Sequence, residues 1–334
     1  MTTIPRPPYD TELEAALAVV LQQFASAHGT EPGAKASTTL AEDLIQTRRS
    51  GMASPPIDPI LQQYGLAHTE HVVPGPEGDP DITLSVFKRH DLPPGAPCVY
   101  NIHGGGMVIG DRFTGMDRML AEWAVDLGAV VVSVEYRLAP ENPDPAPVED
   151  CYAGLLWTAA HARELGADPE RILVAGASAG GGLAAGVALL ARDRGGPRLI
   201  GQLLICPMLD DRNETLSSHQ YDGIGVWDRG SNETGWTALL GDRRGTGKVS
   251  IYAAPARATD LSNLPPAFID VGSAEVFRDE DVAYAMGIWA AGGVADLHVW
   301  AGGFHGFSGM APHAAVSAAA NETRTNWTRR ILGT

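Results

Sequence analysis

Apolar residues along this chain follow two alternating periods. Short runs near His71–Val73, Ile82–Lys88, Cys98–Ile102, Ala129–Val134, Arg171–Ala175, Gly201–Cys206, Ala267–Val271 and Asp296–Val299 read as strands. Val130-Val131-Val132-Ser133-Val134 and Leu203-Leu204-Ile205-Cys206 are almost continuously apolar, as in strands buried on both faces of a parallel sheet. Helical spacing over Arg112–Leu127, Pro147–Leu165, Gly181–Asp193 and Glu280–Ala291 separates most of the later runs. This alternation predicts a doubly wound α/β sheet.

Two stretches interrupt the pattern. Thr11 to Ala25 sets Leu13, Leu17, Val20 and Leu21 at helical spacing, Leu40 to Arg49 suggests a second short helix, and Pro55-Pro56-Ile57-Asp58-Pro59 marks a connection. Residues 208–262 are polar and loop-rich, with a short helix around Asn232–Leu240. Both stretches fit a lid over the C-terminal edge of the sheet, where open α/β sheets place their ligands. An ordinary surface insertion is the alternative for 208–262. The expected organisation is cap helices over 1–50, core over 51–207, a cap insertion over 208–262 and the rest of the core over 263–334.

The 334 residues carry a net charge of −16, which repels phosphate backbones and anionic lipid surfaces. Neither nucleic acid nor a membrane is therefore an expected partner. No run of 18 apolar residues suggests a membrane span, and Met1 to Asp10 lacks the basic-then-apolar order of a signal peptide, so a cytoplasmic protein is expected. Cys98, Cys151 and Cys206 each lie in or beside an apolar segment and read as buried free thiols. No zinc spacing of Cys and His occurs, and His68 and His71 read as surface histidines. Gly245-Thr246-Gly247-Lys248 misses the P-loop pattern, with Asp242 and Val249 where Gly and Ser or Thr belong.

The chemistry concentrates elsewhere. Gly176-Ala177-Ser178-Ala179-Gly180 follows the apolar run Arg171–Ala175 and precedes a Gly/Ala/Leu stretch, the context of a nucleophile elbow. Ser178 then needs a base, an orienting acid and an oxyanion hole. His305, in Gly302-Gly303-Phe304-His305-Gly306-Phe307, follows the last strand through a Gly-rich loop and is the candidate base. Glu275 follows the strand before it and is the candidate acid, with Asp279 as backup and Asp270 behind that. Asp279, Glu280 and Asp281 read as solvated residues opening the next helix, where negative charge suits the dipole. His103-Gly104-Gly105-Gly106 follows a strand, and only glycines leave backbone N–H groups bare enough to face a developing alkoxide. Gly104, Gly105 and the N–H of Ala179 are the expected donors, with His103 and Gly106 supporting the loop.

With these motifs, Glu135-Tyr136-Arg137-Leu138-Ala139-Pro140-Glu141, Asp168-Pro169-Glu170-Arg171-Ile172 and Phe277-Arg278-Asp279-Glu280, the chain from about residue 70 resembles bacterial esterases of the hormone-sensitive lipase family. The resemblance implies an α/β-hydrolase fold, a mostly parallel eight-stranded sheet flanked by helices under a helical cap. It implies hydrolysis of carboxylic esters through an acyl-enzyme, without metal or cofactor, and a homodimer through the edge strand near 296–299. Two positions depart from the family pattern: Glu275 stands where most relatives have Asp, and Ala177 where they have Asp or Thr. Other acyl hydrolases on the same triad (lactonase, amidase or peptidase) are the alternative, and a non-catalytic receptor on this scaffold, which lacks the histidine, is a more distant one. Neither interrupting stretch has a long apolar face, which favours soluble short- to medium-chain esters.

Overall fold

The computed structural model describes residues 4–27, 39–51 and 53–334. Eight strands form one sheet: β1 (Leu66–Val73), β2 (Ile82–Arg89), β3 (Ala96–Ile102), β4 (Val130–Glu135), β5 (Ala167–Ala177), β6 (Leu199–Ile205), β7 (Ala267–Gly272) and β8 (Ala295–Trp300). Their order is β1-β2-β4-β3-β5-β6-β7-β8. The β1–β2 and β2–β4 pairings are antiparallel and all others parallel. Each predicted run lies on one of these strands, and β1 and β5 begin several residues earlier than their apolar parts.

The helices are α1 (Thr11–Ala27), α2 (Ile45–Gly51), α3 (Asp58–Tyr64), α4 (Met116–Met119), α5 (Ala146–Leu165), α6 (Ala179–Arg194), α7 (Leu216–Gln220), α8 (Arg229–Leu240), α9 (Arg278–Ala290), α10 (Phe307–Met310) and α11 (Ala315–Leu332). Successive strand residues point to opposite faces, and the core divides accordingly. Cys98, Tyr100 and Ile102 of β3 pack with Leu155 of α5, Leu183 and Val187 of α6 and Ile288 of α9. Val99, Val131, Leu173 and Phe268 pack with Leu120, Trp123, Trp327 and Leu332 on the other side. The predicted doubly wound sheet is thus present, with helices covering both faces. No helix among the described residues is long and apolar enough to cross a membrane. All three cysteines are buried and free, as expected.

Several expectations need correction. The Pro-rich connection runs into α3, with Pro59 in its first turn, where a missing N–H costs nothing. The helix expected over Arg112–Leu127 starts at Met116, after Gly115 in the left-handed region, and continues as a π-helical stretch over Leu120–Asp126. The long helix α11 carried no clear apolar stripe, because its buried face includes Ser317, Arg324 and Thr328 beside Ala320, Trp327 and Leu332. His68 is half-buried, stacked 4.6 Å over Phe87, and His71 leans on Trp157 at 5.1 Å. Three residues apart on β1 they face opposite sides and share no ligand.

Glu280 and Asp281 are buried rather than solvated, 2% and 0% exposed. The first turn of α9 is covered by the chain leaving β6, and Glu280 accepts the Leu209 and Asp210 amides at 2.7 and 3.1 Å. Neither Asp281 oxygen has a partner among the described residues. Burial, followed by the charges of Glu280, Glu275 and Asp270, pushes the Asp281 carboxyl well above the usual carboxylate range. The folded state therefore holds a proton that the unfolded chain releases near pH 4. This contribution to stability is complete below that pH and is lost as pH rises through the folded-state value. Between pH 5 and 8 the melting temperature of the wild type should fall more steeply than that of Asp281→Asn. Parallel slopes in a pH series of melting curves would remove this account.

Candidate active site

Strand β5 ends at Ala177 and helix α6 begins at Ala179, leaving Ser178 alone at the turn with φ 57° and ψ −123°. A non-glycine residue is strained there. The turn is held from both sides: the Ser178 N–H donates to Ile205 O at 2.8 Å, and Ser178 O accepts from the Met208 N–H at 2.9 Å. A Cβ on Gly176 would overlap the Gly180 carbonyl, and one on Gly180 would overlap the Ile102 carbonyl. The flanking glycines are therefore required by backbone-to-backbone contact.

The loops after β7 and β8 meet this turn. His305 Nε2 lies 3.0 Å from Ser178 Oγ, and His305 Nδ1 lies 2.6 Å from Glu275 Oε2. Glu275 Oε1 accepts the Gly272 N–H at 3.0 Å, which fixes the carboxylate. Glu275 is 2% and His305 8% exposed. Phe277 packs edge-on against the imidazole, with ring centroids 5.1 Å apart. A carboxylate accepts only, so Nδ1 carries the proton and the bare Nε2 accepts from the serine hydroxyl. This arrangement can deprotonate Ser178 as it attacks an electrophile.

Gly104, Gly105 and Gly106 line the cavity above Ser178. Gly105 and Gly106 have φ of 121° and 61°. A Cβ on Gly105 would strike the Ile109 carbonyl, and one on Gly106 the Trp227 ring. His103 is buried, stacked 4.2 Å from Tyr136, with Nδ1 donating to Gly104 O at 2.8 Å. Burial pushes its pKa down, so it stays neutral and braces the loop. The Ala179 N–H opens α6, where first-turn amides lack helical acceptors.

Asp279 does not approach His305; it accepts the Ser217 N–H and the Arg278 guanidinium, both at 2.7 Å. Asp270 pairs with Arg324 at 2.8 Å. Cys206 Sγ, Glu275 and His305 offer atoms within 4.8 Å of one another. Burial and the adjacent Glu275 and Asp270 charges push the Cys206 thiol well up, against the thiolate a metal requires, and Glu275 and His305 are engaged with each other. These donors do not suit a metal ion.

The cavity holds about 310 Å³ and reaches from Ser178 to Leu40, Trp227, Arg118, Met310 and Arg324. Sequence reading missed these walls. Trp227 sits just ahead of Asp228, whose side chain caps α8 by accepting from Ser231 N. That capping residue was the available signal; Arg118 and Arg324 had none.

A serine raised on a strand–helix turn, with a histidine and buried carboxylate in line over a doubly wound sheet, defines an α/β hydrolase. A family model described as alpha/beta hydrolase fold matches residues 99–309. Carboxylesterase NlhH of Mycobacterium tuberculosis is 34% identical over 323 residues, 96% of this chain and 95% of the relative. Esterase LipI of the same species is 35% identical over 290 residues, 81% of this chain and 84% of the relative. Among solved structures, a bacterial heroin esterase is 38% identical with a TM-score of 0.81, covering 97% of this chain and 98% of its own. Esterase LipW from Mycobacterium marinum is 30% identical with a TM-score of 0.82, covering 98% of each chain. The chain belongs to the hormone-sensitive lipase family of carboxylesterases with the α/β-hydrolase fold.

Proposed function

We propose that the protein hydrolyses short- to medium-chain carboxylic esters through an acyl-enzyme on Ser178. The observation that carries this reading is the hydrogen-bonded chain Ser178–His305–Glu275, at 3.0 and 2.6 Å, beneath a glycine-lined cavity. Ser178 Oγ attacks the ester carbonyl as His305 Nε2 takes its proton. The oxyanion faces the N–H groups of Gly104, Gly105 and Ala179, each such donor contributing about 3 kcal/mol in other hydrolases. His305 returns the proton to the leaving alcohol, then deprotonates the water that releases the acid. Glu275 holds the Nδ1–H and balances the imidazolium charge. A cavity near 310 Å³ lies at the small end of ligand sites and favours short acyl groups.

Hydrolysis of p-nitrophenyl esters from acetyl to palmitoyl tests the acyl range. Efficiency should peak between acetyl and hexanoyl and fall by about a hundredfold at palmitoyl, whose chain outruns the cavity. A palmitoyl optimum would overturn that part. An ester compared with its amide isostere separates esterase from amidase.

We read 1–50 and 208–262 as the cap over this cavity. Thr39 and Leu40 bond to Asp228 and Ser231 across the two segments, and Leu40, Val226, Trp227 and Ser231 all line the cavity. Helix α1 packs on the histidine loop, with Leu13 and Leu17 against Phe304 and Phe307. Strand β8 has one unpaired edge, and exposed Val294 and Val299 lie beside it. We place a homodimer there; light scattering that reads a single chain's mass at micromolar concentration would remove it. Three buried unpaired thiols suit a reducing, cytoplasmic setting.

A further inference from the structure

The chain is strongly acidic, yet the cavity over Ser178 is lined by Arg48, Arg118 and Arg324 and, among the described residues, by no Asp or Glu. Arg324, 5% exposed, is balanced by Asp270 at 2.8 Å. Arg118 is different. Its Nη1 donates to Ser308 O at 2.7 Å, and among the described residues no carboxylate lies within 4.0 Å of its guanidinium. Arg324 Nη2 reaches Ser308 Oγ at 3.3 Å, so the two guanidinium groups converge on the same residue, three positions after His305. Burial and then the Arg324 charge push the Arg118 pKa down, while Glu122 and Asp270 offset this from positions outside the cavity wall. Asp270 answers the Arg324 charge, whereas the Arg118 charge has no carboxylate at contact distance among the described residues, so an anion entering the cavity gains an ion pair there.

We propose that Arg118 is an anion-recognising residue of the substrate cavity, and that the preferred substrates are esters carrying a free carboxylate on the acyl or alcohol side. The proposal rests on the esterase reading and specifies its substrate class. The carboxylate accepts from the unengaged face of the Arg118 fork, with Arg324 adding to the local potential. The reaction is unchanged: water cleaves the ester to an acid and an alcohol, and the second carboxylate takes no part in bond making.

Two matched pairs test it. On the acyl side, 4-nitrophenyl hydrogen glutarate is compared with 4-nitrophenyl pentanoate. On the alcohol side, 4-acetoxybenzoate is compared with its methyl ester. The readout is the ratio of kcat/KM for the charged to the neutral member, which cancels any general loss. In one pair the wild-type ratio should exceed one. Arg118→Met should lower that ratio about thirty-fold, the scale of a charge-assisted hydrogen bond. Arg118→Lys should keep most of it, since the charge survives and the fork does not. Ratios in both pairs that Arg118→Met moves by less than threefold would overturn the proposal. A second measurement needs no variant: benzoate should inhibit the wild type at least tenfold better than benzamide, and equal inhibition would also overturn it. Wild type inactive on both neutral esters would instead defeat the esterase reading itself.

Discussion

Ser178→Ala is expected to lower kcat for a short p-nitrophenyl ester by about 10⁵- to 10⁶-fold, the loss seen when the nucleophile of a serine hydrolase is removed. The variant keeps everything else in place. Among the described residues Ser178 Oγ bonds only to His305 Nε2, and the turn is fixed by main-chain bonds to Ile205 and Met208. Alanine pays the same positive-φ penalty as serine, so the melting temperature should stay within about 3 °C of wild type. A residue of catalysis should persist, about a thousandfold over water, from the oxyanion donors and binding. Substrate KM should move little, because the acyl group is held by cavity walls that the substitution leaves alone. A folded variant retaining full activity would sink the nucleophile assignment and with it the acyl-enzyme.

The elbow was legible because its geometry admits so few residues. Gly176 and Gly180 meet backbone carbonyls where a Cβ would sit, so the fold writes itself into two specific positions. The buried parallel strands were legible for a similar reason: Val130 to Val134 and Leu203 to Leu204 face packed helices on both sides and admit no exposed polar period. The segment 208–262 read poorly because its polar residues point inward. Asp211, Asn213, Ser217, Ser218, Asp228 and Asn232 are all buried. They satisfy loop amides and guanidinium groups that have no helix or strand to pair with, as Asp211 does for Arg257. A polar run that fits a lid or a surface insertion equally in sequence is here an internal hydrogen-bond network. Glu280 and Asp281 misled in the same way. Their place in a helix's first turn suited solvent exposure, but Glu280 is covered by the amides of residues 209 and 210, some seventy positions away, and Asp281 is buried beside it without a partner among the described residues.

Glu275→Gln should lower kcat by about 10³- to 10⁴-fold with KM nearly unchanged, as amide substitution of the triad acid does in other serine hydrolases. The carboxylate accepts from His305 Nδ1–H and from the Gly272 N–H, so both of its oxygens are committed as acceptors. An amide offers one acceptor and one donor. If its oxygen stays on Gly272, its NH₂ faces Nδ1 and forces the proton onto Nε2, the tautomer that cannot deprotonate Ser178. If its oxygen turns to His305, two N–H groups oppose each other at Gly272 in a buried setting, and the imidazolium loses its counter-charge. Either way the step that develops positive charge on His305 is penalised, which is why kcat rather than KM carries the loss. Glu275→Asp should be intermediate, since a side chain one methylene shorter cannot span both partners. Asp279→Asn is the control, because Asp279 bonds Ser217 and Arg278 and does not reach the imidazole. A full loss in Asp279→Asn beside an active Glu275→Gln would move the triad acid to the first residues of α9.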